Sequence, residues 1–239
     1  MFNVIKKKLK LKVKGVSFNL CLIPASTFTM GSPENEDGRY DNETQHQVTI
    51  TRPYYLMETE VTQELYEVIM GNNPAYFKGP QRPVETVSWY DATAFCEKLS
   101  HLTGKTFRLP TEAEWEYACR AGTTGARYGE LDNIGWYYGN SWNKPYNETH
   151  NVRQKTANAW GLYDMLGNVW EWCGDWYGDY PVGGVDDPGG PASGSYRVLR
   201  GSSWYDIAGD CRSAVRGYDY PGSESYGHGF RACLPAEDK

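Results

Sequence analysis

No stretch of this sequence approaches the eighteen or so consecutive apolar residues that a membrane-spanning helix needs, and its first residues carry no hydrophobic centre of the signal-peptide kind. The chain therefore reads as soluble, without a membrane span. Basic clustering is almost as scarce. The net charge is −6 and the one lysine run, Lys6 to Lys14, is short. This argues against a nucleic-acid partner, because phosphate neutralisation calls for a clustered cationic surface, and the lysine run reads as a strand ahead of a nucleic-acid tail. Cysteines 21, 96, 119, 173, 211 and 233 are scattered, with no C-x-x-C pair or zinc-type spacing, which leaves the compartment open. Histidine is limited to His46, His101, His150 and His228. His46 falls in a predicted strand and His101 on a predicted helix, so both read as structural. Neither a Ser-His-Asp arrangement nor a phosphate-binding glycine loop stands out.

What the chain does have is 19 tyrosines, 9 tryptophans and 26 glycines in 239 residues. With little helical periodicity, that composition predicts one loop-rich, aromatic-packed α+β domain over residues 1–239, with no internal repeat or linker. Three helices carry start and stop signals. The first runs from about Thr62 to Gly71, and the second starts at a Ser88/Asp91 capping box and ends at Gly104. The third follows Pro110 with Thr111 and Glu114 as its box and closes at Gly122. Leu9, Leu11 and Val13 alternate with lysines, the period of a half-buried strand whose charged face discourages edge pairing. Further strands are expected at "HQVTI", "YYLM", "VWEWC" and "YRVLRG", separated by a turn-rich passage from Gly125 to about Ala159 and by "PVGGVDDPGGPASGS".

"FRLPTEAEWEYACRAG", "GLYDMLGNVWEWCGDWY", "RVLRGSSW" and "GFR" follow one another in that order. Together they resemble the formylglycine-generating-enzyme family, from about Met30 to Arg231. The resemblance implies an irregular C-type-lectin-like α+β fold. It does not by itself imply catalysis, since a fold hosts many functions. The copper-dependent oxidases of the family use two cysteines spaced C-x4-C after a "GGS" motif. In the matching "SSWYDIAGDC", Asp206 stands where the first cysteine would be and only Cys211 follows. A lone thiol beside a carboxylate is a poor copper(I) site, so no copper is expected, with an oxidase kept as the alternative reading.

The family turn "GNVWEW" carries calcium, and the matching positions here are Asp164, Gly167, Val169 and Glu171. A structural calcium ion is thus implied, against the plainer reading of solvated or capping carboxylates. The resemblance also implies that Cys96 lies near Cys233, and Cys119 near Cys211.

Within the family, the segment from Arg200 to Arg231 is most similar to the variable proteins of diversity-generating retroelements, in which AAC codons are scattered by adenine mutagenesis and the rest stay fixed. Fourteen positions fit the variable class: Tyr205, Asp206, Ile207, Asp210, Val215, Gly217, Tyr218, Asp219, Tyr220, Ser223, Ser225, Tyr226, Gly227 and His228. None is Trp, Met, Lys, Gln or Glu, the types that a mutated AAC codon cannot encode. Glu224, in their midst, needs another codon. Tyrosine with Ser, Gly and Asp is also how antibody paratopes are composed. The implied function is non-catalytic binding of a protein or surface ligand, and a non-diversified Gly/Tyr-rich surface loop is the other reading. Trp204, Phe230, Arg212, Arg216 and Arg231 would then be the inward framework, with a turn at Pro221 and Gly222.

Overall fold

Hydroxyl side chains set the helix starts. Thr62 Oγ1 accepts from the amide of Leu65 and opens α1 (Gln63–Met70), which stops at Gly71, φ +92°. Ser88 and Asp91 accept each other's amide protons at the head of α2 (Trp89–Thr103), and Thr111 and Glu114 do the same for α3 (Glu112–Arg120). Each box satisfies two amides that the helix itself leaves unpaired. α3 ends one residue before the expected glycine: Ala121 takes the left-handed turn at φ +44° and Gly122 follows at +91°. The passage without periodicity contains a single turn of helix, α4 (Leu131–Ile134), and a hairpin of Trp142–Asn143 against Tyr146–Asn147.

This computed structural model describes residues 7–143 and 145–236, so the Lys6 end of the lysine run lies outside the described residues. Lys8–Val13 is an edge strand as expected, with Leu9 and Leu11 half-buried and Val13 buried. Its sheet continues antiparallel through Val16–Ile23 and Tyr54–Met57 to Cys233–Pro235, so the last strand returns beside the first ones. A second sheet runs in the order Arg216–Asp219, Arg197–Arg200, Trp170–Trp176, His228–Gly229, antiparallel except for its final pair. A third joins Val185–Asp186, His46–Ile50 and Ser26–Met30.

The second sheet positions the site because both its faces are buried. Trp172 and Leu199 pack with Phe95, Leu99 and Phe230 on the α2 side, while Cys173 and Val198 pack with Trp115 and Ala118 on the α3 side. Trp115, Trp172 and Phe230 are fully buried. Large aromatic side chains of this kind supply most of the burial that offsets chain entropy. Among the described residues, no helix is long and apolar enough to cross a membrane.

Candidate functional site: the Arg200 to Arg231 segment

Four arginines fix this segment, and each is buried against a carboxylate supplied from elsewhere in the chain. Arg200 reaches Glu116 Oε2 at 2.5 Å and Glu112 Oε1 at 3.2 Å. Arg212 donates to both oxygens of Glu43 (2.8 and 2.7 Å) and to Glu36 (2.7 Å). Arg216 forks onto Glu112 at 2.7 and 2.9 Å. Arg231 forks onto Glu171 at 2.7 Å on each oxygen and also donates to the carbonyl of Tyr163. The planar fork suits a carboxylate in two places at once, a fit lysine lacks. Burial alone would raise the Glu112 and Glu43 pKa values. The Arg216 and Arg200 charges, and for Glu43 the hydrogen bonds from Arg212 and Ser32, more than reverse this and leave both carboxyls below the usual range.

The acidic helix α3 is therefore not a solvated face. Every one of its nine residues is buried, with Glu112, Glu114 and Glu116 all engaged by arginines. Trp204 is 9 % exposed, donates its indole N–H to the carbonyl of Tyr226 at 3.0 Å, and packs edge-on against Phe77. Gly201 (φ +98°) and Ser202 (φ +65°) make the bend that leads into it. A Cβ at Gly201 would meet the Trp115 ring at 2.9 Å, while Ser202 holds its left-handed turn by donating to the carbonyl of Asp210. Pro221 and Gly222 form the expected turn, closed by Ser223 N–H donating to Tyr220 O.

Eleven of the fourteen suspected positions reach solvent. Ile207 is 64 % exposed, and Tyr218, Tyr220 and Tyr226 are 51, 57 and 53 % exposed. Tyr205, Asp206, Asp210, Gly217, Asp219, Ser223 and Ser225 are half-buried. They form two touching groups. Tyr205 and Tyr226 sit with Trp204, while Tyr218 and Tyr220 stack about Tyr196, and Asp219 accepts from Ser223. Trp170 joins the groups, lying against Gly217 with its indole near enough to Asp206 to help hold down the rise that burial gives that carboxyl's pKa.

The other three positions correct the expectation. Val215 is 3 % exposed because it lies within the buried run from Cys211 to Arg216. Gly227 and His228 are buried because the chain there rejoins the sheet: Gly227 O accepts from Trp170 N at 2.7 Å, and His228 pairs with Trp170. Burial depresses the His228 pKa to about 4, so its imidazole stays neutral against the Trp172 ring.

Aromatic residues outside the segment flank the Trp204 group. Tyr76, 71 % exposed, stands 6.0 Å from the Tyr226 ring beside Phe77. On another side Tyr138 N–H donates to Asp206 O, and Ser141 Oγ donates to Trp204 O at 2.7 Å. These bonds bring the hairpin with Trp142 (59 % exposed) and Tyr146 (73 %) up to the segment. The sequence reading missed this neighbourhood. Its one signal was a concentration of aromatics in a passage otherwise built of Gly and Asn.

The turn matched to calcium is also buried. Asp164 Oδ2 accepts from Arg153 N at 2.7 Å, while its Oδ1 has no partner, and burial raises its pKa to about 6. Gly167 (φ +84°) is required, since a Cβ there would lie 2.1 Å from Trp136 O. Glu171 Oε2 uses both acceptor sites on Arg231 and Trp115, leaving one on Oε1. Among the described residues no three His, Cys, Asp or Glu side chains are arranged to hold a metal. Of the two carboxylates at this turn, Glu171 is thus committed to Arg231, and Asp164 Oδ1 is the oxygen left without a partner.

All six cysteines are buried thiols. Cys96 lies close enough to Cys233 to add to the upward shift that burial gives the Cys233 thiol. Cys119 Sγ faces Ser213 Oγ at 3.6 Å, and Cys119 and Cys211 belong to one hydrophobic cluster. Cys211 is fully buried near Ser202, and desolvation pushes its pKa up to about 12. Asp206, in the place of the missing cysteine, accepts from the Ser203 amide and hydroxyl.

Comparison with known proteins agrees with this geometry. The structure of Treponema denticola variable protein 1 superposes with a TM-score of 0.88 at 36 % identity, covering 95 % of this chain and 99 % of that one. A serine/threonine-protein kinase, pkn1, of Chlamydia caviae is 42 % identical over 162 residues, which are 66 % of this chain and 24 % of the kinase. The formylglycine-generating enzyme of Streptomyces coelicolor is 39 % identical over 176 residues, 66 % of this chain and 54 % of the enzyme. The chain thus spans about a quarter to about half the length of these curated relatives. The expected C-type-lectin-like α+β architecture stands, and with residues 11–235 matching the sulfatase-modifying factor enzyme 1-like domain, the chain belongs to the formylglycine-generating-enzyme family.

Proposed function

We propose that this chain is a non-catalytic ligand-binding protein whose Arg200 to Arg231 segment is diversified by a retroelement to vary what it binds. The observation that carries the reading is the division within the segment. Its arginines are all buried on acids from outside it, while eleven of the fourteen suspected positions reach solvent. A paratope needs this separation, since surface substitutions cost about 0.5 kcal/mol or less and core truncations several. The likeness to a Treponema denticola variable protein over nearly the whole chain supports the same reading.

The oxidase alternative finds little to work with. Cys211 is held protonated by burial, and a protonated thiol is a poor ligand and nucleophile. Calcium at Asp164, Gly167, Val169 and Glu171 is assigned a structural role, and the ligand is a protein or another exposed surface.

Two experiments test the function. Sequencing a few kilobases downstream of the gene should reveal an imperfect repeat of the 200–231 coding region and a reverse transcriptase; their absence removes the diversification. Replacing Tyr205, Asp206, Tyr218, Tyr220 and Tyr226 jointly by alanine should leave a cooperative fold, whereas Trp204→Ala opens a cavity worth about 3–5 kcal/mol. Copper-dependent turnover of a cysteine-containing peptide would restore the enzyme reading.

A further inference from the structure

We infer that the binding face extends beyond the diversified segment onto a fixed aromatic ridge, and that the partner of this chain is a protein surface presenting arginine and lysine side chains. The inference rests on the proposed function and adds two things to it: constant anchors and a partner chemistry.

Interface size argues for the ridge. The large exposed side chains of the segment are Ile207, Tyr218, Tyr220 and Tyr226. At roughly 100 Å² of available surface each, they supply about 400 Å², half of the ~800 Å² per partner that a stable complex buries. Tyr76, Tyr138, Trp142 and Tyr146 are all more than half exposed and supply a similar amount. They are held against the segment by fixed bonds rather than by chance. Tyr138 N–H donates to Asp206 O, and Ser141 Oγ donates to Trp204 O at 2.7 Å. Asn147 Nδ2 donates to Tyr138 O at 3.0 Å, and Tyr76 stands beside Tyr226. The bonds to the segment end on its backbone carbonyls, so they survive any change of side chain at 206.

Charge sets the partner. Arg200, Arg212, Arg216 and Arg231 all point inward and are neutralised by glutamates. Asp206, Asp210 and Asp219 are half-buried in the segment, Asp206 accepting from the Ser203 amide and hydroxyl, and Glu224 is exposed. Asp210 accepts from Tyr40 and Asp219 from Ser223, neither of which neutralises its charge. The segment and its ridge together therefore offer tyrosine and tryptophan rings along with partly exposed carboxylates. Guanidinium and ammonium groups satisfy both, stacking on the ring faces and pairing with the acids. Electrostatic complementarity of this sort sets specificity and encounter rate more than area does.

The test uses the whole chain and a twelve-residue peptide carrying four arginines spaced by Gly-Ser, with lysine and citrulline versions of the same peptide. Binding is followed by tryptophan fluorescence and by amide shifts in two-dimensional NMR spectra. The arginine peptide should bind at least fivefold more tightly than the citrulline peptide, with the lysine peptide between them. The affected amides should include both the segment and the Trp142–Tyr146 hairpin. Trp142→Ala with Tyr146→Ala should weaken the arginine peptide at least fivefold, and Trp142→Gln should weaken it while keeping a polar, solvent-facing side chain if the double variant folds poorly. Equal affinity for the arginine and citrulline peptides overturns the basic partner. An unchanged affinity in the hairpin variants, while the five-residue alanine variant of the segment loses binding, overturns the ridge and leaves the variable site intact. The downstream repeat and reverse transcriptase are read independently of every peptide result, so failure of the proposed function itself is recognised separately.

Discussion

Positions 205 and 227 cannot vary independently if the segment is diversified. Gly227 is buried and a Cβ on it would lie 2.3 Å from Cε1 of the Tyr205 ring, with the ring hydroxyl at 2.8 Å. Ordinary carbon contacts begin near 3.5 Å, so Gly227→Ala must drive the ring back by roughly 1 Å. That ring is packed edge-on against Trp204 and Tyr226, centroids 5.0 and 6.4 Å away, and has limited room to yield. Overpacking of this kind costs about 1–3 kcal/mol, which for a chain of this size lowers Tm by about 2–12 °C. In a Tyr205→Ser background the obstruction is gone, and Gly227→Ala should cost a few tenths of a kcal/mol. A double-mutant cycle over these four proteins, measured by urea unfolding with coincident fluorescence and circular dichroism, should return a coupling of about 1–2 kcal/mol. A coupling below about 0.5 kcal/mol would falsify the packing account. It would also leave position 227 as free to vary as any exposed one.

The remaining expectations are more direct. Arg212→Ala strands Glu43, fully buried, and should cost about 3–5 kcal/mol in urea unfolding; a loss under 1 kcal/mol would mean the pair is not a support. Glu112 has a depressed folded-state pKa, so its stabilisation is complete above the ordinary carboxyl value and disappears as pH falls through the folded one. The Tm gap between the native chain and Glu112→Gln should therefore be widest near neutral pH and close under acid, and a gap independent of pH contradicts the ion pair. Millimolar calcium added after chelation should raise Tm in the native chain and not in Asp164→Ala, through binding to the folded state alone. Identical melting curves with and without calcium remove the ion.

The helix boxes at Ser88/Asp91 and Thr111/Glu114 were legible because capping is local: two residues three positions apart carry the whole signal. The Leu9/Leu11/Val13 alternation was legible for the same reason. Glu112 and Glu116 were not, because a glutamate on a short helix looks solvated until its arginine partners, about a hundred residues later or nearly so, are folded onto it. The candidate site divided along the same line. Tyrosine-rich stretches around Pro221 announced a surface loop, but His228 and Gly227 look identical to their exposed neighbours in composition. Only their return to the sheet beside Trp170 buries them. The hairpin near Trp204 was lost among turns, since the hydrogen bonds that place it end on backbone carbonyls.

The long reach of the arginines has a consequence for biogenesis. Arg212 closes on Glu36 and Glu43 across 176 and 169 positions, and Arg231 closes on the carbonyl of Met57 across 174. During synthesis the acidic partners emerge first and wait, charged and unmatched, until the 200–231 segment leaves the ribosome. Contacts so distant in sequence form late and slowly. The fold thus cannot close until this later-made segment has arrived in acceptable form. Any copy in which a framework arginine is lost would remain open and exposed to proteases. In a lineage that rewrites this segment, each new version would be proofread by folding before it ever met a ligand.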